Sequence, residues 1–348
     1  MRAIVDAGPD LNFQQKLLQW YDRHQRALPW RATGGARPDP YRVWLSEIML
    51  QQTTVATVKS YFLKFINLWP NVEAMAAADL DDILAAWAGL GYYARARNLH
   101  ACAKIITQNY GGVFPAGQKA LMALPGIGPY TSGAIAAIAF DQPVAAVDGN
   151  VERVLSRFYA IKTPLPDSKP LIKQKAARLV PENRPGDFAQ GLMDLGATIC
   201  TPRSPDCRLC PLATDCRGLK QNIAPALPIR AAKKVRPTRF GKAFVVQRQD
   251  GAVLLRRRPE KGLLGGMLEV PCSEWVEGKS RATNIIEHTF THFHLMLEVV
   301  VSDDFDGAVR RDTESHQWVP VKQLKEKALP TIMKKVLVQV FGPDVFKA

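Results

Sequence analysis

Four cysteines crowd into one short stretch, Cys200, Cys207, Cys210 and Cys216, with the spacing C-x6-C-x2-C-x5-C. Nothing else in the chain restricts its folding so tightly. Four thiolates that close in sequence can converge on one soft centre, and the backbone between them must loop to let them do so. An iron–sulfur cluster and zinc both suit the donor set, although zinc sites more often use paired short knuckles. The other two cysteines, Cys102 and Cys272, are isolated. A secreted disulfide framework would spread its cysteines more evenly.

The chain has 348 residues, enough for two or three domains with cores of their own. Its net charge of +14 is far from ordinary. Such a balance points to a polyanionic partner, nucleic acid first and anionic membrane second, with a merely basic solvated surface as the plain alternative. No stretch is long and apolar enough to span a bilayer. The N-terminus, MRAIVDAGPDLNF, has neither a signal nor a transit pattern. The expected setting is therefore intracellular and reducing, the cytoplasm and nucleoid for a bacterial chain. Composition gives no sign of an oligomer, so a monomer is expected.

The first two thirds read as helical. Leu80, Ile83, Leu84 and Trp87 fall at i, i+3, i+4 and i+7 behind a candidate N-cap, Asp79. Leu99, Cys102, Ala103 and Ile106 repeat the pattern until Gly111-Gly112, as do Val151, Val154, Leu155 and Phe158. Residues 220–240 form a basic, proline-bearing linker with Pro225, Pro228, Pro237, Arg230, Lys233, Lys234, Arg236 and Arg239. Strands are expected beyond it. Phe244-Val245-Val246 and Val253-Leu254-Leu255 flank the turn signal Asp250-Gly251 as a hairpin. Thr289, Thr291, Phe293, Leu295, Leu297 and Val299 share one side of an alternating run, and a last helix is expected over about 331–341.

Three motifs carry chemistry. Leu124-Pro125-Gly126-Ile127-Gly128-Pro129-Tyr130-Thr131 reads as a helix–hairpin–helix turn. Gly126 and Gly128 let the backbone approach a phosphate, and Pro129 opens a helix whose free N–H groups favour an anion. A plain helix–helix turn is the alternative. Asp148, in Val147-Asp148-Gly149-Asn150-Val151, caps a helix, and the same N–H donors suit a carboxylate that must stay ionised. Glu47 sits in the apolar run Trp44-Leu45-Ser46-Glu47-Ile48-Met49-Leu50. Buried there it would hold a proton at neutral pH as a general acid does; on a wet helix face it would do nothing special.

Together these pieces resemble the endonuclease III superfamily of DNA glycosylases, and more finely its adenine DNA glycosylase branch. Pro29-Trp30-Arg31, Ser46-Glu47-Ile48-Met49-Leu50-Gln51-Gln52-Thr53, Gly89-Leu90-Gly91-Tyr92-Tyr93 and the cysteine loop all fit that pattern. The resemblance implies a mainly α catalytic region with the helix–hairpin–helix glycosylase fold and an iron–sulfur cluster loop, followed by a C-terminal α+β Nudix-like domain. The implied boundaries are 1–219 for the helical region, with a six-helix part at about 30–140 and a cluster part drawn from the N-terminal helix and 141–219. The linker is then 220–240 and the Nudix-like domain 241–348. The implied cofactor is a [4Fe-4S] cluster on Cys200, Cys207, Cys210 and Cys216. The implied partner is double-stranded DNA with adenine mispaired with 8-oxoguanine or guanine.

The resemblance also assigns residues. Glu47 protonates the adenine and Asp148 stabilises the sugar cation, with Tyr130 and Asn150 helping. Tyr130 stands where bifunctional relatives carry a Schiff-base lysine, so strand cleavage by that route is not expected. Arg31 and Gln190 match positions that contact the base, although Arg31 can equally bind phosphate. Gln52 and Tyr92 match positions that wedge into the stack, where core packing is the alternative. Gly262-Leu263-Leu264-Gly265-Gly266-Met267-Leu268-Glu269-Val270-Pro271 resembles a Nudix segment, but the residues after it lack the glutamate row that holds Mg²⁺. The expectation is a fold kept, a hydrolase lost, and a reader of damaged guanine gained. Phe290-Thr291-His292 stands where that branch usually has Phe-Ser-His, so Thr291 and His292 are the expected readers; an ordinary surface histidine is the alternative for His292. Three rivals remain: another glycosylase of the superfamily acting on oxidised pyrimidines or mismatched thymine, a non-catalytic damage binder with a structural cluster, and a nucleotide hydrolase acting through the C-terminal domain.

Overall fold

Gly and Pro punctuate a chain whose apolar spacing changes period once, from helical to alternating, and the elements follow that change. A computed structural model describes residues 9–32, 36–231, 235–259, 262–278, 282–302 and 315–347. Lys233 and Lys234 of the expected linker lie outside these residues. The chain groups into two units, residues 1–77 with 101–232, and residues 78–100 with 233–348.

Helices carry the first part of the chain: α1 (Pro9–His24), α2 (Pro40–Leu50), α3 (Val55–Leu68), α4 (Val72–Ala77), α5 (Leu80–Ala86), α6 (Ala94–Tyr110), α7 (Gln118–Met122), α8 (Pro129–Phe140), α9 (Gly149–Phe158), α10 (Lys169–Leu179), α11 (Pro185–Thr198) and α12 (Arg217–Lys220). The expected helix sets fall on α5, α6 and α9. Leu99, Cys102, Ala103 and Ile106 are all buried, and α6 stops where Gly111 and Gly112 take positive φ. Asp79 holds the N-cap position of α5 without a side-chain hydrogen bond.

Two helices place the candidate catalytic side chains in the interior. In α2, Tyr41, Val43, Trp44, Leu45, Ser46, Glu47, Ile48 and Met49 are all buried. A helix apolar on every side belongs inside a core, so Glu47 is carried in with its neighbours. The α8 helix is the same kind, buried from Thr131 to Ile138. It starts at Pro129, directly after the turn in which Gly126 takes φ +76. The N-terminus of α9 meets α11 at Gly196, where an added Cβ would lie 2.6 Å from Asn150 Cβ. Only glycine permits that approach.

The second unit is built on β1 (Thr238–Val246), β2 (Ala252–Arg257), β3 (Leu268–Glu269), β4 (Val276–Glu277), β5 (Ile285–Thr289), β6 (His294–Ser302), β7 (His316–Pro320) and α13 (Thr331–Phe341). One sheet has the order β4-β1-β6-β5, with β1 and β6 parallel; the other is β3-β2-β7 and antiparallel. Val245, Leu255, Leu295, Leu297 and Val299 meet Ile332, Met333, Val336 and Leu337 of α13 in a single core. The last helix lies where its spacing put it.

Two strand expectations need correction. The turn expected at Asp250-Gly251 forms, with the Gly251 N–H on the Arg248 carbonyl and an antiparallel bridge from Gln247 to Val253, but the hairpin stops there: β1 and β2 enter different sheets. β2 buries its first four residues in one continuous run, and such a run does not specify its neighbours. The alternating run from Thr289 to Val299 is likewise two strands. Thr289 pairs with His294 and the Phe290 N–H donates to the Phe293 carbonyl, so Thr291 sits at the tip of a turn.

Candidate active site

Burial decides the state of Glu47. The residue is 6 % exposed, and its Oε2 has no hydrogen-bond partner among the described residues. Burial pushes its carboxyl up to about 7; the Tyr130 hydroxyl donates to it and the Arg31 charge opposes the rise, while Asp148 adds to it. Glu47 shares a cavity of about 50 Å3 with Trp30, Arg31, Leu50 and Gln190. That volume takes a few waters and no purine, so the walls must part before a base enters. A larger polar cavity of about 510 Å3 shares Arg26, Arg31 and Gln190 with it.

Asp148 is the N-cap of α9. Its Oδ1 accepts from the Asn150 and Val151 N–H groups at 2.9 and 2.8 Å, and its Oδ2 accepts from Asn150 Nδ2 at 2.7 Å. The donors expected from sequence are present. Burial nevertheless outweighs them, and the carboxyl is held above its usual range. Tyr130, at the second position of α8, faces both carboxyls; burial and those two charges hold its phenol protonated. Its hydroxyl also lies 3.7 Å from Met193 Sδ. Glu47, Tyr130, Asp148, Asn150, Arg31 and Gln190 thus belong to one neighbourhood within the first unit.

Gln52 is exposed, with φ +59. Gly126 and Gly128 belong to the turn before α8, and a Cβ built on Gly128 would meet open space. In the second unit Tyr92 is 48 % exposed, with φ +48, which excludes the core-packing alternative for it. Left-handed backbone in non-glycine residues is uncommon and costs of order 1–3 kcal/mol, and it clusters at functional sites. The Tyr92 hydroxyl lies 2.7 Å from Thr291 Oγ1. His292 is exposed at the same turn.

Cys200, Cys207, Cys210 and Cys216 line one small cavity of about 30 Å3 together with Arg157. Among the described residues no set of three or more His, Cys, Asp or Glu side chains is placed to hold a metal ion. Arg157 is 1 % exposed and donates from Nη1 to Cys200 Sγ at 3.3 Å. Backbone N–H groups of Leu212, Gly218 and Leu219 point at the thiols of Cys210 and Cys216. Four soft donors lining one cavity are a donor set that an iron–sulfur group can take.

Sequence reading missed three residues. Arg153 donates to the Cys200 carbonyl at 2.7 Å, the Gly196 carbonyl at 2.6 Å and Asn150 Oδ1 at 2.8 Å. Arg157 adds the Thr201, Pro202 and Leu227 carbonyls to its thiol contact. Asp194, fully buried, takes both Nη atoms of Arg31. Their only sequence signal is a charge at a helix position that its apolar neighbours mark as buried.

A family model described as HhH-GPD superfamily base excision DNA repair protein matches residues 45–182, and a NUDIX domain model matches residues 242–339. The adenine DNA glycosylase of Homo sapiens is 34% identical over 400 residues, covering 93% of this chain and 73% of that protein. The adenine DNA glycosylase of Buchnera aphidicola (subsp. Schizaphis graminum) is also 34% identical, covering 93% of this chain and 97% of the relative. Among solved structures, a thermostable thymine-DNA glycosylase superposes with a TM-score of 0.54 at 32% identity, over 60% of this chain and 95% of that one. An endonuclease III in a non-covalent DNA complex, 23% identical with a TM-score of 0.51, covers 61% of this chain and 95% of that one and shares the fold.

Proposed function

The chain belongs to the adenine DNA glycosylase family, within the HhH-GPD superfamily of base excision DNA repair, and we propose that it is the monofunctional enzyme that removes adenine mispaired with 8-oxoguanine or guanine in double-stranded DNA. It is a DNA glycosylase with a helical helix–hairpin–helix region and a C-terminal NUDIX domain. The observation that carries the finer reading is the buried Glu47 carboxyl, with one oxygen unpartnered among the described residues, in a cavity with Arg31 and Gln190.

The target base leaves the stack and enters the pocket, at less cost when mispaired. Glu47 gives its proton to N7 of the adenine. The C1′–N9 bond breaks and its electron pair leaves with the base. Asp148 stabilises the oxocarbenium-like sugar, through a short-lived ester in the pattern of a retaining glycosidase. Tyr130 and Asn150 hold the two carboxyls in place. Water then displaces Asp148 at C1′, breaking the ester and freeing the carboxylate; the water's proton passes to the Glu47 carboxylate, and an abasic site remains. Among the described residues no lysine lines the 50 Å3 cavity, and Tyr130 cannot form an imine, which supports a hydrolase without lyase action.

Gln52 and Tyr92 act as wedges, and Gly126 and Gly128 seat a phosphate. Thr291 and His292 read the damaged guanine. Glu269 is occupied by Arg256 and Arg258, and the segment after Pro271 passes into β4, which supports a lost hydrolase site. The functional regions are 1–219 and 241–348, joined by 220–240, whose last residues, Thr238 to Phe240, already belong to β1, and the enzyme works as a monomer inside the cell. No helix among the described residues is long and apolar enough to cross a membrane. Cys200, Cys207, Cys210 and Cys216 would hold a [4Fe-4S] cluster, whose bonds supply a rigid tie for the loop that exposes Arg203, Arg208 and Arg217 to phosphates.

A single-turnover assay tests the reading on duplexes with adenine opposite 8-oxoguanine, guanine or thymine. Excision is expected to be fastest opposite 8-oxoguanine, with breaks only after alkali. Breaks without alkali would refute the monofunctional reading. No excision from cluster-loaded protein would refute the substrate.

A further inference from the structure

We propose that Asp194 is a positioning residue of the base pocket: its buried carboxylate clamps Arg31 at both terminal nitrogens and offsets its charge, holding the guanidinium as a fixed edge of the cavity it shares with Glu47. This rests on the adenine reading of that cavity and adds a residue to it.

The geometry is a closed two-point fork. Arg31 Nη1 donates to Asp194 Oδ2 at 2.6 Å and Nη2 to Oδ1 at 2.7 Å. Arg26 adds its Nε at 2.6 Å and its backbone N–H at 3.0 Å. The Asp194 side chain is 0 % exposed and that of Arg31 is 7 % exposed. Burial alone would raise the Asp194 carboxyl, but the Arg31 and Arg26 contacts reverse it and hold it below the usual range. Four charge-assisted donors on one carboxylate leave Arg31 a single orientation, and parallel bidentate bonds are the strong, geometrically specific kind. The side chain lies over Tyr21, 5.8 Å from its centroid, which limits it further.

The clamp has an electrostatic consequence. Glu47 faces Tyr130 from α8, Asp148 from the cap of α9, and Arg31 and Arg26 from the segment after α1; α11 contributes Gln190 to the cavity and Asp194 behind Arg31. Arg31 is the cation that draws the Glu47 proton away. With Asp194 ionised beside it, the pull is reduced. An arginine without that partner would favour the Glu47 carboxylate and spoil the acid.

Asp194→Asn keeps the shape and removes the charge. The first readout needs no substrate: the infrared C=O stretch of the protonated Glu47 carboxyl, followed against pH, with Glu47→Gln protein as the blank. In the unsubstituted protein the band is expected to vanish near pH 7. In Asp194→Asn it is expected to vanish about one unit lower, the usual scale for a nearby unpaired charge. Asp194→Glu, which keeps the charge, is expected to titrate like the unsubstituted protein. Asp194→Ser leaves room for water beside the guanidiniums and serves if Asp194→Asn does not fold. The second readout is the pH profile of single-turnover excision, whose falling limb should move with the band. A folded Asp194→Asn or Asp194→Ser protein whose Glu47 band is unmoved would overturn the proposal. So would a uniform rate loss at every pH with an unmoved limb, the mark of a purely structural role. Protein that never excises adenine fails the substrate reading in the second readout alone, and the infrared titration still decides Asp194.

Discussion

Arg153 Nη2 lies 2.8 Å from Asn150 Oδ1, and through Asn150 the guanidinium supports the carboxylate of Asp148. The same side chain holds the Cys200 carbonyl, so one arginine ties the start of the cysteine loop to the cap of α9. Replacing it with Met should leave the Gly196 and Cys200 carbonyls unpaired, at about 1–3 kcal/mol for each buried group. The expected outcome is a lower melting temperature together with a fall in single-turnover excision of at least about tenfold, the equivalent of 1.4 kcal/mol in the barrier. A variant that melts early yet excises at the normal rate would show that the tie serves folding alone.

Glu47 sets opposing demands on activity and stability. Its folded carboxyl is raised to about 7, so it is protonated below that pH and ionised above it. Excision should therefore fall as pH rises through about 7. Glu47→Gln should lose about 10²–10⁴-fold, the usual share of a general acid. The stability effect has the opposite sign. A raised carboxyl favours the folded state at low pH, and that benefit is lost as pH rises through its folded value. Above that point the native protein must hold a buried charge, a cost of about 3 kcal/mol for a shift of this size. Glu47→Gln should accordingly be the more stable protein at pH 8, with the gap closing at pH 5. Denaturant melts at the two pH values check it; a gap of equal size at both would contradict the assignment.

Much of the architecture is legible in the residues alone. The sets on α5, α6 and α9 declare themselves because i, i+3, i+4 spacing is local, and Asp148 declares its cap because the helix begins directly after it. Glu47 is legible as a candidate because a lone carboxylate interrupts an apolar run. One failure is local and the others are not. Alternation continues from Thr289 to Val299 straight through a turn, since Phe290 and Phe293 are apolar turn residues and give no break signal. The pairing of β1 with β6 joins Phe240 to Met296, beyond the reach of any periodicity. Asp194 finds its partner Arg31 far along the chain, and nothing in the residues around either names the other.

Tyr130 donates to Glu47 and so favours its ionised form. Tyr130→Phe removes that donor while keeping the ring in place. The Glu47 carboxyl should then titrate higher, and the falling limb of the excision profile should move up in pH. Removal of Asp194 is expected to move the same limb down. A limb that stays still or falls in Tyr130→Phe would mean that the phenol does not act on Glu47.

Tyr92 and Thr291 meet through their hydroxyls at 2.7 Å, at two exposed turns of the second unit. The bond holds the tip of the β5–β6 turn against a tyrosine whose backbone is already strained at φ +48. Thr291→Val is nearly isosteric and removes both the bond and the hydroxyl that the proposed function assigns to the damaged guanine. A single neutral hydrogen bond contributes about 0.5–1.5 kcal/mol, so the preference for 8-oxoguanine over guanine should drop by roughly two- to tenfold. Thr291→Ser keeps the hydroxyl and should keep the preference. Tyr92→Phe separates the two contributions. If the Tyr92 bond only fixes the turn, Tyr92→Phe lowers excision opposite both bases alike; if it orients Thr291 toward the lesion, the ratio falls as it does in Thr291→Val. Single-turnover rates on the two duplexes, measured for all three variants, give that ratio directly. An unchanged ratio in Thr291→Val would remove Thr291 from the reading of 8-oxoguanine.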